Sequence, residues 1–368
     1  MNTSALWDAL KKYDFTFFGI SLVIFIMGIL NLYSATHASA HISGLYQTQI
    51  KWYLFSLVIG VGVSFIQAKN FYRFSYLVYV ANLILLGLVL VLGHKGMGAQ
   101  RWLVLGPFRI QPSEIMKISV ILVLARWYSK NNVDSELGLR NLIIPFIIVM
   151  IPTALIVAEP DLGTGLLILL IFFVVTFYRR LKLKSLAIII LMGIISSLAM
   201  YNFGLKSYQK RRVVTFLNPG ADAQGSGYNA IQSKIAIGSG KFFGKGFLNS
   251  SQASLNYLPE NHTDFVFSIF NEEHGFFGSL ILISLFLILF YRFIWLATSV
   301  NRIFDSLVVM GIMSLFFWHT FINMGMVMGL MPIVGLPLPL MSYGGSSLLT
   351  FGVCCGIATS LSNSRNLF

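Results

Sequence analysis

Charge is what this sequence has least of. Only 11% of its 368 residues are charged, against roughly 25% in an ordinary soluble domain. Cysteine is nearly missing: Cys354 and Cys355 are adjacent, and a bond between neighbours is strained, so they report nothing on redox compartment. The six histidines are scattered, with neither an HExxH motif nor a cysteine pair at ligand spacing, which leaves no zinc site legible. No internal repeat is visible, and with it goes the simplest sequence argument for an inverted-repeat transporter.

What is abundant is apolar. Hydrophobic residues make up 56% of the chain, a share no water-soluble fold can cover with so little polar surface. Uncharged runs recur at about the 17 to 25 residues that cross a bilayer as a helix. Ten such runs lie near 14–34, 47–66, 73–93, 113–128, 141–157, 162–178, 185–203, 272–293, 306–330 and 343–361. The expectation is an all-α polytopic membrane protein with about ten transmembrane helices, a single domain over 1–368.

Basic residues of short loops stay in the cytoplasm. Lys11, Lys12, Lys69, Arg73, Arg126, Lys130, Arg140, Arg179, Arg180, Lys182, Lys184, Arg292, Arg302 and Arg365 all fall on one side, while the short loops around 35–46, 158–163 and 331–342 have no Lys or Arg. Both termini are therefore expected inside. Ala38-Ser39-Ala40 imitates a signal-peptidase site, but the preceding run is longer than a signal core and reads as an uncleaved first span.

A net charge of +13 would suggest nucleic acid in a soluble protein, yet most of it is topology signal. Apart from Lys51, the twelve remaining basic residues sit in two external stretches: Lys95, Arg101, Arg109 and Lys117, then Lys206, Lys210, Arg211, Arg212, Lys234, Lys241 and Lys245. Positive charge outside points to an anionic ligand there, although long external segments are translocated whatever their charge.

The one long connection, 204–271, separates spans seven and eight and is too rich in Tyr228, Ile231, Ile235, Phe242, Phe243, Phe247 and Tyr257 for disorder. Tyr228 to Ile237 has apolar residues at helical spacing, which predicts a short amphipathic helix at the membrane surface, ended by the glycines from Gly238 onward. Gly240-Lys241 is no phosphate loop, because the flanking residues do not fit.

Ionisable residues at membrane depth are functional candidates by default. In Gln111-Pro112-Ser113-Glu114-Ile115-Met116-Lys117, Ser113 can cap a helix and Glu114 and Lys117 share a face, as a structural salt bridge or as an anion site. Glu159-Pro160-Asp161-Leu162-Gly163-Thr164 puts two carboxylates in a tight turn, where Asp161 capping the next helix explains most of the pattern. The densest set is Pro259-Glu260-Asn261-His262-Thr263-Asp264-Phe265, followed by Glu272, Glu273 and His274. Asp264 lies among Phe265, Val266, Phe267, Ile269 and Phe270, so desolvation can raise it toward a useful base, unless it or His262 only caps a helix. A Ser-His-Asp hydrolase is not supported, since no nucleophile elbow is present.

At these clusters the chain resembles the SEDS (shape, elongation, division and sporulation) proteins. The likeness spans nearly the whole chain: Gly98-Ala99-Gln100-Arg101-Trp102-Leu103, Gln111 to Glu114, Pro160 to Thr164, Tyr208 with Arg211-Arg212-Val213, Gln232 to Gly240, Leu258-Pro259-Glu260, His262 to Phe265, and Pro337-Leu338-Pro339 to Ser346. Lys234 and Gly244-Lys245-Gly246 resemble the RodA branch rather than the FtsW branch. His274 departs from it, standing where those chains carry an apolar residue.

The resemblance implies a peptidoglycan glycosyltransferase polymerising lipid II on the outer face of the bacterial cytoplasmic membrane during cell elongation. The family's essential Asp matches Asp264, the general base on the acceptor hydroxyl. A diphosphate leaves without protonation if cations neutralise it, so one carboxylate can suffice. Arg101, Lys117, Arg211, Arg212 and Lys234 are the expected diphosphate contacts, with Glu114 holding Lys117 or lining the substrate cavity, His262 and Thr263 lining that cavity, Trp102 packing on lipid or sugar, and a divalent cation, Mg or Mn, sharing the neutralisation. A class B penicillin-binding protein and other rod-complex proteins are the implied partners. Competing readings are a lipid II flippase and a non-catalytic scaffold.

Overall fold

The structure, a computed structural model, describes residues 15–37, 42–96, 99–105, 108–131, 136–199, 202, 204, 207–222 and 225–364. Lys11, Lys12, Ala38 to Ala40, Lys206 and Arg365 lie outside the described residues. Ten helices coincide with the ten apolar runs: α1 (Phe15–Thr36), α2 (Leu45–Ser64), α3 (Ala68–Leu92), α4 (Pro112–Lys130), α5 (Ile143–Ala158), α6 (Leu162–Tyr178), α7 (Leu183–Ala199), α11 (Val266–Ser299), α12 (Ile303–Val327) and α13 (Gly345–Ser364). Between α7 and α11 stand α8 (Ser207–Leu217), α9 (Ser226–Ser239) and the single turn α10 (Ser251–Ser254).

Six of the long helices are long and apolar enough to span a membrane by length and composition, and α6 and the start of α7 are shorter apolar segments. Helix α4 departs because it carries Glu114, Lys117, Arg126 and Lys130, and it can do so because most of its side chains are buried among other helices. The protein is a multi-pass membrane protein.

The all-α expectation holds for the bundle, with one addition. Three strands, β1 (His94–Gly96), β2 (Ala99–Leu105) and β3 (Phe108–Ile110), form an antiparallel sheet that caps the end of the bundle that also carries the long connection. Strands β1 and β3 have three residues each and the seven of β2, AQRWLVL, do not alternate apolar with polar, so the sequence offers no strand period to read. Arg101 and Trp102 sit on the central strand.

Two boundaries move. Helix α11 starts at Val266 rather than near 272, so the long connection ends at Phe265, and Glu272 and Glu273 are buried helical residues. The helix is interrupted at Gly275, and at about 1.5 Å per residue the part after the break is about 36 Å long, enough to cross the hydrocarbon without its first turns. Ser113 does not cap α4: Pro112 is the first helical residue, its missing N–H costing nothing there, and Gln111 precedes it without a side-chain cap.

The most extensive helix pairing joins α2 to α13. Small residues allow it, since a Cβ at Gly352 would lie 2.3 Å from the Ser56 carbonyl oxygen, and one at Gly356 would lie 2.3 Å from that of Gly60. In lipid, where burial of apolar surface gives no advantage between helices, such close backbone contact is the main source of affinity. Gly356→Val should therefore cost about 2 kcal/mol or more by overpacking, read as a lowered unfolding temperature in detergent. Gly87→Ala, where a Cβ meets nothing within 4 Å, should leave that temperature unchanged or slightly raised.

Candidate active site

The catalytic candidate hangs from a kink. Gly275 in α11 has φ 64°, a left-handed conformation that favours glycine, and the helix breaks there. The backbone groups released are taken up by the segment before it: Lys245 N donates to Glu272 O (2.9 Å), Gly246 N to Glu273 O (3.0 Å), Phe276 N to Lys241 O (3.0 Å) and Phe277 N to Phe242 O (3.0 Å). The Glu272 carboxylate then receives Lys245 Nζ (2.5 Å), Ser250 Oγ (2.5 Å), Ser251 Oγ (2.7 Å) and the N–H groups of Ser251 and Gln252. Lys245, one of the external cations, is thus committed to a structural pair.

Helix α9 forms as predicted, but it docks by another face. Ser233 and Ala236 are buried, with Ser233 Oγ donating to Val327 O at 2.6 Å and meeting Ser268 Oγ at 3.0 Å. Ile231 and Ile235 face outward, as suits a helix at a membrane surface.

Asp264 ends the loop that α11 follows. It is not a helix cap: the N-cap of α11 is Phe265, with no side-chain bond. The loop is held by Ser342 Oγ donating to Thr263 O (2.6 Å), Tyr343 N to His262 O (2.9 Å) and Asn323 Nδ2 to Asp264 O (3.0 Å). Thr263 Oγ1 is occupied by Glu260 Oε2 at 2.8 Å. Across from the carboxylate is Gly335, φ 73°, where a Cβ would approach Asp264 Oδ2 to 3.4 Å. Burial, then the charge of Glu260, push Asp264 up to about 6, against the opposing pull of Arg212 and Arg101. Burial lowers His262, so its ring is neutral at pH 7.

The cations are sorted by the structure. Arg101 straps the 159–161 turn, donating to the carbonyls of Glu159 and Pro160 with Asp161 Oδ2 3.7 Å away, while its charge still reaches Asp264. Arg212 and Lys234 line one slot with Phe216, Met326, Met331 and Ile333. Lys234 lies over Gly329, where a Cβ would fall 1.9 Å from Lys234 Cε. Arg211 is on α8, and its side chain lies outside the described part.

Lys117 does not join them. It is 0% exposed, with Nζ 2.6 Å from Glu114 Oε1 and 3.0 Å from His319 Nε2, and Thr350 Oγ1 donates to Glu114 Oε2 at 3.0 Å. Of the expected roles, Glu114 holding Lys117 is the one the geometry bears, whereas a diphosphate contact by Lys117 and a cavity role for Glu114 do not fit their burial: both partners spend their charge on each other inside the bundle.

The family model of the FtsW/RodA/SpoVE cell cycle proteins matches residues 14–367. The chain belongs to this family, the SEDS proteins. It is 37% identical over 366 residues to the peptidoglycan glycosyltransferase MrdB of Escherichia coli K12, covering 100% of this chain and 97% of that one. It is 32% identical to RodA of Treponema pallidum, covering 97% and 99%. Among solved structures, a chain of a peptidoglycan synthase complex that coordinates polymerization and crosslinking superposes with TM-score 0.84 at 30% identity, covering 97% of this chain and 99% of that one. The crystal structure of Thermus thermophilus RodA superposes with TM-score 0.73 at 29% identity, covering 97% and 98%.

Within this SEDS site, Asp264 and Glu260 are the neighbouring carboxylates, and among the described residues no group of three His, Cys, Asp or Glu could enclose a metal. Two carboxylates suit Mg2+ when substrate phosphates complete its shell. Residues that the motifs did not reveal are Asn323, Gly335, His319 and Thr350, whose contacts are long-range and leave no local pattern.

Glu159 is the other surprise. It is 1% exposed, neither carboxylate oxygen has a partner, and burial followed by Asp161 raises it to about 8 despite Arg101. The folded state therefore holds a proton that the unfolded state has lost, and stability falls as pH rises from about 5 to about 8. Glu159→Gln should remove this slope, gaining on the parent progressively over that range and levelling above it, measured by chemical unfolding at stepped pH.

Proposed function

We propose that this chain is a peptidoglycan glycosyltransferase of cell elongation that polymerises lipid II, with Asp264 as general base. The observation that carries the reading is a largely desolvated carboxylate, raised to about 6, within the field of the Arg101 and Arg212 guanidiniums. A group with that value is mostly ionised at neutral pH yet basic enough to take a proton from a hydroxyl. Asp264 removes the proton of the acceptor 4-hydroxyl, the oxygen bonds to the anomeric carbon of the donor MurNAc, and the carbon–oxygen bond to the lipid diphosphate breaks with its electron pair leaving on the diphosphate. Arg101, Arg212 and Lys234 neutralise that charge as it develops, with Arg211 beside them in sequence. A divalent cation bound by the diphosphate and by Asp264 or Glu260 would supply further neutralisation.

His262 and Thr263 act through backbone carbonyls that fix the loop. The amphipathic α9 and the apolar slot under Lys234 fit a substrate held in the outer leaflet of the cytoplasmic membrane, with the basic short loops of the opposite end in the cytoplasm. A class B penicillin-binding protein is the proposed partner, since a similar solved chain comes from a complex joining polymerization to crosslinking.

Purified full-length protein, with and without that partner, incubated with lipid II should yield glycan polymer on a gel. Asp264→Asn should abolish it with fold retained. Absence of polymer from the parent in both conditions would leave the flippase or scaffold reading in its place. The rate should fall about tenfold per pH unit on the acid side of about pH 6. Glu260→Gln should move that limb to lower pH and Arg212→Gln to higher pH, because the first removes a raising charge and the second a lowering one.

A further inference from the structure

Asn323 sits on α12, 0% exposed, and its amide nitrogen donates both hydrogens to backbone carbonyls: one to Asp264 O at 3.0 Å, the other to Leu336 O at 2.7 Å. These belong to two separate segments, the loop that carries the base and the loop that carries Gly335 against the carboxylate of Asp264. One side chain therefore fixes the base relative to the wall it faces. Asn323 Oδ1 has no partner, so the residue is retained for its two donors at the expense of a buried acceptor.

One turn along the same helix, His319 Nδ1 is 3.2 Å from Pro337 O and Nε2 is 3.0 Å from Lys117 Nζ. An ammonium has no lone pair to offer, so Nε2 must accept and the ring proton must be on Nδ1, donating to the carbonyl. Donors then run in one direction: Lys117 gives to both Glu114 and His319, His319 gives to Pro337, and Asn323 gives to Leu336 and to Asp264. Thr350 of α13 closes the other end on Glu114.

We infer that Asn323 and His319 are positioning residues for Asp264, and that the buried Glu114–Lys117 pair affects turnover through this relay to the 335–338 loop rather than by touching substrate. The inference rests on Asp264 being the base. A base displaced by about 1 Å can lose about 100-fold in rate while substrate binding, made elsewhere, is kept.

The test compares full-length variants in proteoliposomes with lipid II, measuring kcat, KM and the acid limb of the pH profile. His319→Leu, which can neither accept from Lys117 nor donate to Pro337, should lower kcat about 10- to 100-fold with KM changed less than about threefold. His319→Gln, whose amide both accepts and donates, should recover most of it. Asn323→Asp keeps the shape but removes both donors, and should lower kcat at least as far and shift the acid limb. If His319→Gln is as impaired as His319→Leu while both unfold at the parent temperature, or if Asn323→Asp turns over like the parent, the positioning role is overturned. Asp264→Asn separates the two levels. Its inactivity beside parent-like positioning variants refutes only this inference, whereas its activity refutes the base and the relay together.

Discussion

A charge in hydrocarbon must bring its own partner, and most of this molecule follows from where that is done. Lys117 and Glu114 meet directly inside the bundle, and each has a second partner from another helix, His319 for the lysine and Thr350 for the carboxylate. Such a pair is weak evidence for stability, because desolvating both ions costs about as much as their attraction returns. What it supplies is registry. With four polar groups that have to coincide, α4, α12 and α13 cannot slide past each other by a turn without leaving a charge uncompensated, and the loop between α12 and α13 is laid down accordingly.

The same rule operates at the outer end with backbone instead of side chains. Breaking α11 at Gly275 exposes amides and carbonyls that a low-dielectric rim would not tolerate, and residues 241–246 satisfy them. The Glu272 carboxylate then gathers the turn that follows. The long connection is thus held firmly where it meets the bundle, through the irregular stretch that follows α9.

These two layers differ in how much of them a single sequence discloses. The ten helices were legible because hydrocarbon imposes one rule on every span: continuous apolar length. Asp264 was legible as a carboxylate set among aromatic residues, and the family motifs singled it out. Lys245 was misread as an available cation because pairing with Glu272 is a matter of a 27-residue return of the chain, and for Lys117 the salt bridge to Glu114 was one of two open readings that only depth in the bundle decides. Ser113 looked like a cap, but Pro112 already begins the helix. The stripe on α9 was correctly periodic yet faces outward, since close packing selected Ser233 and Ala236 instead. The small sheet leaves no period because β1 and β3 are three residues long and β2 does not alternate, and Asn323, which joins Asp264 to Leu336, is one asparagine in an apolar helix until the fold brings two carbonyls to it.

One exterior feature has a kinetic meaning. Phe242, Phe243, Phe276 and Phe277 form an exposed aromatic apron where α11 enters the bundle, Phe243 being 77% exposed. Aromatic rings favour the boundary between acyl chains and headgroups. A protein set into the leaflet boundary in this way draws on a reservoir counted per unit area, so its saturation on the proposed reading would follow the mole fraction of substrate among lipids and be indifferent to the volume of the surrounding water. Diluting the membrane with inert lipid would then starve it as effectively as removing substrate.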